Sequence, residues 1–479
     1  MRGYYRHTKI IATVGPATES EEMLAKLITS GVDVLRLNMA HGSGDWAKNL
    51  IARVRKVSKE IDRHVAVMMD VKGPEIRTGV VETPVEIAVG DLFEFYTDTP
   101  TPGSRGLLVN YTGLPTDVSV GATILVDSGL MRFEVLDIDA SHVRCKALTG
   151  GKLGSRRHVN LPGMTVNLPS LTEKDERDLR AGVEAGIDFV ALSFVRKSDD
   201  ILLLRTFLDS LGSRARIIAK IEDQSGVRNM HSIIKVTDAV MVARGDLGIE
   251  IDYHTLPLVQ TQLVDLCLKE GKPVIIATHL LESMISAPMP TRAEISDIST
   301  AVRERADAVM LSGETTTGQY PLECVEVMHN IVGSIEPTEK RPANETIVLD
   351  QPKSKMLRAA TVLARELGES GIVVFTRSGS LAYTLAALRA VGVPIYAFTD
   401  DVETYRHLLL PWGVEPFLLQ FSEDPEETVR KALAMLKAQN WADDGTWLVV
   451  ITNVLAQGRV IDSLQLHQVD AGPPNSRRD

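Results

Sequence analysis

Cysteine is nearly missing from this chain: three of 479 residues, Cys145, Cys267 and Cys324. An odd number so scattered supports neither a disulfide framework nor a thiolate metal cluster, and it fits a reducing cytoplasm. No run of about 18 uninterrupted apolar residues occurs, so no membrane span is expected. Positive charge is in deficit, with 52 Lys and Arg against 63 Asp and Glu and a formal net charge of −11. That balance excludes nucleic acid or an anionic membrane as a bulk partner, while leaving room for a local basic cleft. The opening MRGYYRHTKIIATVG has no apolar signal core before a small-residue cleavage site. Low-complexity tracts, short-period repeats, a Walker A sequence and a kinase-type glycine-rich loop are all lacking.

What is present is a rhythm. Apolar or β-branched runs recur as KIIATVG, VDVLRLNM, HVAVMMDVKG, DFVALSF, ARIIAKIE, AVMVARGD, PVIIATHL and AVMLSGE. Between them, segments such as SEEMLAKLITSG and DWAKNLIARVRKVSKEI return apolar residues at three- and four-residue spacing, the period of a helix. Thr18 or Ser20 can cap the first helix and Gly31 can end it. Strands alternating with helices argue for a parallel sheet buried on both faces. Eight such units suggest a closed (β/α)₈ barrel, with an open doubly wound sheet as the alternative.

The rhythm breaks once, between Asp70 and Asp188, where alternating runs such as LFEFYTD and RFEVLDI read as strands. An insertion at the C-terminal end of the third strand would cover the mouth of a barrel as a lid. After the polar stretch EPTEKRPANETIVLDQPKSK, the strands GIVVFTR, VPIYAFTD, EPFLLQF and TWLVVITN alternate with two helical patterns, a third, α/β domain. The boundaries expected are 1–72 and 159–335 for the barrel, 73–158 for a small β-barrel lid and 336–479 for the third domain.

Nearly every barrel strand ends in groups able to bind ions: Arg36 and Asn38, Asp70 and Lys72, Lys220 and Glu222, Arg244 and Asp246, Thr278 and His279, Ser312 and Glu314. Each buried charge needs a partner, so so many in register point to an ion-rich site at the mouth. Glu222 and Asp246, without nearby His or Cys, suit Mg²⁺ or Mn²⁺. Lys220 shares strand parity with Glu222, Arg36 offers a planar fork for phosphate, and Lys72 and Arg77 add positive charge. The sum suits phosphoryl transfer to or from a carboxylate-bearing substrate.

The segments KIIATVGPAT, LRLNMAHG, DVKGPEIRTG, GSRRHVNLPG, AKIE, MVARGDLGIE, ATHLLESM, PTRAEISD and MLSGETTTGQYP closely resemble pyruvate kinase, in the family's order, from residue 8 to 321. The resemblance implies a barrel with an inserted lid and a C-terminal regulatory domain. It implies transfer of the phosphoryl group of phosphoenolpyruvate to ADP, giving pyruvate and ATP at the end of glycolysis, with Mg²⁺ or Mn²⁺. By resemblance Arg36 meets the transferred phosphoryl, and Lys220 stabilises the transition state and the enolate. Glu222 and Asp246 bind the divalent ion. Gly245, Asp246 and Thr278 hold the substrate carboxylate, and Thr278 helps deliver a proton through water. Asn38, His41, Arg77 and Arg157 meet the nucleotide phosphates. Arg157 stands where the family usually has Lys, and His279 where it often has Gln.

The family commonly binds K⁺ at positions matching Asn38, Ala40, Asp70 and Val71. Ala40 replaces the usual Ser and Val71 the usual Thr, so one hydroxyl ligand is lost while the Val71 carbonyl stays. Glu75 is kept where K⁺-independent relatives place a lysine. Weakened but surviving dependence is the expectation; unaltered or absent dependence are the alternatives. In FTRSGSLA, Thr376, Arg377, Ser378, Gly379 and Ser380 match the family's site for a phosphorylated effector, and small residues before a helix can form an anion nest. A homotetramer is also implied. A metal-dependent lyase acting on pyruvate and a non-catalytic paralogue are the rival functions; the intact Lys220, Arg36, Glu222, Asp246 and Thr278 argue against the second.

Overall fold

The computed structural model describes residues 5–99, 105–164, 166–339, 343–456 and 459–469. Within the polar stretch after the barrel, 340–342 fall outside the described residues. Eight parallel strands close into a barrel: Lys9–Val14, Val34–Asn38, Ala66–Val71, Phe189–Leu192, Arg216–Ile221, Ala239–Ala243, Val274–Ala277 and Ala308–Leu311. Alternation along each strand sorts its side chains. Val34, Met68, Ile218 and Met241 fill the barrel interior, while Leu35, Met69, Ile217 and Val242 pack outward against the helices. Arg36, Asp70 and Lys220 share the inward parity of Val34, Met68 and Ile218, so these three strands turn charged at their last interior layer.

The helices between strands start where the spacing predicts. Ser20 caps Glu21–Thr29 by accepting from Met23 N–H. Thr18 instead donates to the Thr315 carbonyl at 2.8 Å. Ser43 caps Gly44–Glu60, and Thr172 with Asp175 forms a capping box for Glu173–Ala185.

The insertion is a curled half-barrel of six strands in the order Val159–Asn160, Thr123–Val126, Met131–Ile138, His142–Ala147, Leu92–Tyr96 and Gly106–Leu108. Phe93, Phe95 and Phe133 centre its core, with ring centroids 5.1–5.6 Å apart. Leu161 belongs to that core, and Met164, Val166 and Leu168 pack against it. The third domain is a five-stranded sheet, and its edge strand Arg459–Gln468, antiparallel to Trp447–Ala456, is not among the four runs read from the sequence.

The barrel floor repeats one device four times. Asp33, Asp188, Asp238 and Asp307 stand just before the second, fourth, sixth and eighth strands. Their carboxylates accept the backbone N–H of Ile10, Val67, Ile217 and Val274 on the preceding strands, at 2.7–2.9 Å. Each also pairs with an arginine: Arg6, Arg55, Arg205 and Arg389 respectively. The third domain docks beneath this floor. Leu409 and Leu410 plug the interior, Trp412 N–H reaches Asp307 at 2.9 Å, and Arg389 lies over the Trp412 ring.

Arg389 and Asp307 are each 1% exposed. Truncating one partner of a buried ion pair leaves the other uncompensated, a cost of about 3–5 kcal/mol. Arg389→Met should therefore lower the denaturant midpoint of unfolding clearly, and Arg389→Met with Asp307→Leu should recover part of the loss. A single mutant with an unchanged midpoint would mean the backbone amides alone neutralise Asp307.

Candidate active site at the barrel mouth

Asp70 is the centre of the mouth. It is 2% exposed. Its Oδ2 accepts from Arg36 Nε at 2.7 Å, and its Oδ1 accepts from Lys220 Nζ at 3.1 Å. Arg36 Nη1 also donates to Thr13 Oγ1 at 3.0 Å. Lys220 Nζ further lies 2.9 Å from Glu222 Oε1 and 2.8 Å from Ser193 Oγ. Glu222, 1% exposed, accepts from Phe194 N–H at 2.7 Å through its other oxygen. Phe194 has a φ of +53°, a strained conformation for an aromatic residue that turns this amide into the site.

The charges tune one another. Burial alone would lower the Lys220 ammonium, but Asp70 and Glu222 outweigh it and raise it above the ordinary lysine value. Burial would raise Asp70, yet Lys220 and Arg36 hold it below the usual carboxylate range. Glu222 is pushed up by burial above all, with Asp246 and Asp70 adding to it and Lys220 opposing. A carboxylate strained in this way, beside the half-buried Asp246, is relieved by a cation. Among the described residues no three His, Cys, Asp or Glu side chains gather as a metal site. The protein therefore offers a pair, which fits a hard divalent ion completed by water and substrate oxygens.

The sixth and seventh strands make a second wall. Gly245 N–H donates to Thr278 Oγ1 at 2.8 Å, and Thr278 and His279 hold φ values of +67° and +56°. A Cβ on Gly245 would stand 3.3 Å from the His279 ring, so the close approach favours glycine. Arg244 turns away from the mouth. It grips Asp297 at 2.6–2.7 Å and the Thr278 carbonyl at 2.6 Å, fixing the strained turn. Glu314 is likewise spent on backbone, accepting from Ser312 N–H at 2.7 Å and Leu281 N–H at 3.1 Å. Both are scaffold, not ion-binding strand ends as their positions suggested. His279 lies 3.4 Å from Glu282 on the rim.

The turn after the second strand carries Asn38, Ala40 and His41. Asn38 and Asp70 are cross-strand neighbours, Asn38 Oδ1 accepts from Ala40 N–H at 3.1 Å, and His41 is exposed. Lys174 ties this turn down, donating to the Met39 and Gly42 carbonyls at 2.8 and 3.1 Å. The Val71 carbonyl accepts from Ser193 Oγ at 2.7 Å. At the lid hinge, Glu75 holds Arg77 at 2.7 Å and Lys72 at 3.0 Å. Arg157 lies just before the strand Val159–Asn160, its amide on Thr78 Oγ1 at 2.9 Å, its guanidinium 3.2 Å from Asp127. The His158 ring between them and the mouth sits 5.9 Å from Phe194.

Thus Arg36, Asp70, Lys220 and Glu222 form one hydrogen-bonded cluster, Gly245 and Thr278 a second, and Arg77 and Arg157 share the hinge. Thr376, Arg377, Ser378, Gly379 and Ser380 are far from all three, in the third domain. There Gly379 N–H donates to Thr376 Oγ1 at 2.9 Å, and Thr376 and Arg377 line a cavity of about 300 Å³ with Lys353, Ser422 and Thr452. Ser193 and Lys174 went unread in the sequence. Ser193 follows the fourth strand's Leu192 directly, one of the two strand ends, with the first, to which no polar role was given; Lys174 is a first-turn helix residue with no such signal.

Comparison with known proteins agrees with this geometry. Residues 5–325 match the family model described as "Pyruvate kinase, barrel domain", and residues 354–465 match "Pyruvate kinase, alpha/beta domain". The chain is 41% identical to plastidial pyruvate kinase 2 of Arabidopsis thaliana, covering 93% of this chain and 78% of that protein. It is 40% identical to pyruvate kinase of Staphylococcus aureus (strain MRSA252), over 94% and 78%. A crystal structure of a pyruvate kinase from Cryptosporidium parvum superposes with a TM-score of 0.89 at 32% identity, covering 97% of this chain and 96% of that one. The chain belongs to the pyruvate kinase family and is a phosphotransferase of that activity.

Proposed function

We propose that the Arg36–Asp70–Lys220–Glu222 cluster is where phosphoenolpyruvate gives up its phosphoryl group to ADP, and the Lys220 ammonium between two carboxylates is the observation that carries it. Asp70 holds both cations from below. Arg36, with Nε on Asp70 and Nη1 on Thr13, presents the rest of its fork to the phosphoryl oxygens. Lys220 stays charged at any working pH because its value is raised, and it stabilises the enolate oxygen as the bond to phosphorus breaks. Glu222 and Asp246 would hold Mg²⁺ or Mn²⁺, which would supply positive charge against the negative charge that develops on oxygen. Gly245, Asp246 and Thr278 orient the substrate carboxylate, and the Thr278 hydroxyl helps pass a proton through water to the methylene carbon. Asn38, His41, Arg77 and Arg157 meet the nucleotide phosphates, the two arginines from the lid.

Asn38, Asp70 and the Val71 carbonyl form a weakened K⁺ site. Ala40 brings no hydroxyl, and Ser193 shares the Val71 carbonyl. The loop from Thr376 to Ser380 takes a phosphorylated effector. The helix Ser380–Ala387 starts there, and Arg377, 3.1 Å from Asp400, is exposed enough to turn to a ligand. A homotetramer in the cytoplasm completes the reading. The three cysteines are all buried and free, and among the described residues no helix is long and apolar enough to cross a membrane.

Lys220→Met should reduce turnover on the order of a hundredfold or more while changing phosphoenolpyruvate affinity far less, because its main contact forms in the transition state. Steady-state kinetics beside direct binding of phosphoenolpyruvate decide this, and unchanged turnover would remove Lys220 from the mechanism. Turnover in KCl compared with a tetraalkylammonium chloride at matched ionic strength should show residual K⁺ activation. Ala40→Ser should raise that activation; no difference between the salts for either protein would mean the site binds no K⁺.

A further inference from the structure

One short helix, Arg244–Glu250, touches the reaction centre at one end and the lid at the other. It begins with Gly245 and Asp246 and ends with Ile249 and Glu250. Gly129, in a lid turn, packs against the Ile249 side chain. Asn160, on the lid strand that returns to the barrel, donates its Nδ2 to Glu250 Oε1 at 2.7 Å. Both residues are buried, Asn160 at 4% and Glu250 at 8% exposure. Gln224, two residues beyond Glu222, donates its side-chain amide to the Glu250 carbonyl. Glu250 is therefore a node between the lid's return strand, the segment carrying Glu222 and the helix carrying Asp246.

We propose that Glu250 and Asn160 are positioning residues: their contact docks the lid on the Asp246 helix, so that the lid arginines and the metal-binding turn keep a fixed relation. A second observation explains why the pair is an acid facing an amide. Asn160 Oδ1 is buried and has no hydrogen-bond partner among the described residues. A carboxylic acid beside it supplies that donor, closing a two-bond ring in which each group both gives and receives. Burial above all pushes Glu250 up to about 7, against the Asn160 hydrogen bond that lowers it, with Asp223 and Asp246 adding to the rise, so a neutral fraction is at hand. The small cavity of about 70 Å³ at this hinge is lined by the same pair with His158, Arg196, Asp223 and Gln224. No basic side chain pairs with the Glu250 carboxyl among the described contacts. An amide can replace such an acid without losing the ring.

The inference rests on the reading that the lid meets the nucleotide. The test is steady-state kinetics and hydrogen exchange on the full-length enzyme carrying Glu250→Ala, Asn160→Ala, Glu250→Gln or Arg157→Ala. Losing a buried hydrogen bond at the hinge should raise the KM for ADP about three- to tenfold in Glu250→Ala and Asn160→Ala. The KM for phosphoenolpyruvate, set by Arg36, Lys220 and Thr278, should stay within about twofold. Amide exchange should quicken in the hinge segments 72–80 and 156–164 of these two variants. Glu250→Gln, which keeps both ring bonds, should match the parent in all three measures. An ADP KM unchanged in both alanine variants, or a Glu250→Gln as impaired as Glu250→Ala, overturns the proposal. If Glu250→Ala does not fold, Asn160→Ala carries the test. Arg157→Ala separates the two levels: no effect on ADP there removes the lid reading itself, whereas an effect there without one in Asn160→Ala removes only the latch.

Discussion

Asp70 is the residue on which the rest of the mouth depends. Arg36 and Lys220 approach one another only because a carboxylate lies between them, and Asp70 stays ionised under burial only because both cations face it. Neither half survives alone: a lone buried charge neutralises or expels itself. The barrel makes the arrangement possible by parity. The second, third and fifth strands put Val34, Met68 and Ile218 into the apolar interior and Arg36, Asp70 and Lys220 at the next inward position toward the mouth. The cluster therefore crowns a rigid hydrophobic column, which is the condition for electrostatic preorganisation.

Strained backbone surrounds this cluster and has a structural cause at each point. Phe194 adopts a left-handed conformation and hands its amide to Glu222. Thr278 and His279 take left-handed conformations in succession, and Arg244 with Asp297 clamps the turn that results. The strain is carried by residues that ordinary turn chemistry would not choose. Its persistence reflects how many hydrogen bonds over-determine each turn.

Much of this was legible beforehand. The alternation of strand and helix was visible because parallel strands buried on both faces read as continuous apolar runs, and Arg36, Asp70, Lys220 and Glu222 stood out by interrupting them. The half-barrel lid announced itself in LFEFYTD and RFEVLDI through two-residue alternation. What stayed hidden had no local signature. Ser193 is a serine at a strand end like many others, and its contact with Lys220 comes from closure of the barrel. Arg244 and Glu314 carry the same charge at the same kind of position as Arg36 and Glu222, and only their partners, Asp297 and a pair of backbone amides, set them apart. The edge strand Arg459–Gln468 was missed because RVIDSLQLHQ mixes polar and apolar residues as a half-exposed edge must.

The four aspartates beneath the barrel have a consequence of a different order. Their device recurs with a period of two strands, so the closed sheet is assembled from four equivalent quarters at its base, while among the described residues the opposite rim carries different groups from strand to strand. Closure, register and docking of the third domain are thereby settled at one pole. Residues at the other pole are free to differ from strand to strand without renegotiating the architecture. A barrel insulated in this way can change a residue in a mouth turn, such as Ala40 beside Asn38, and leave its architecture untouched.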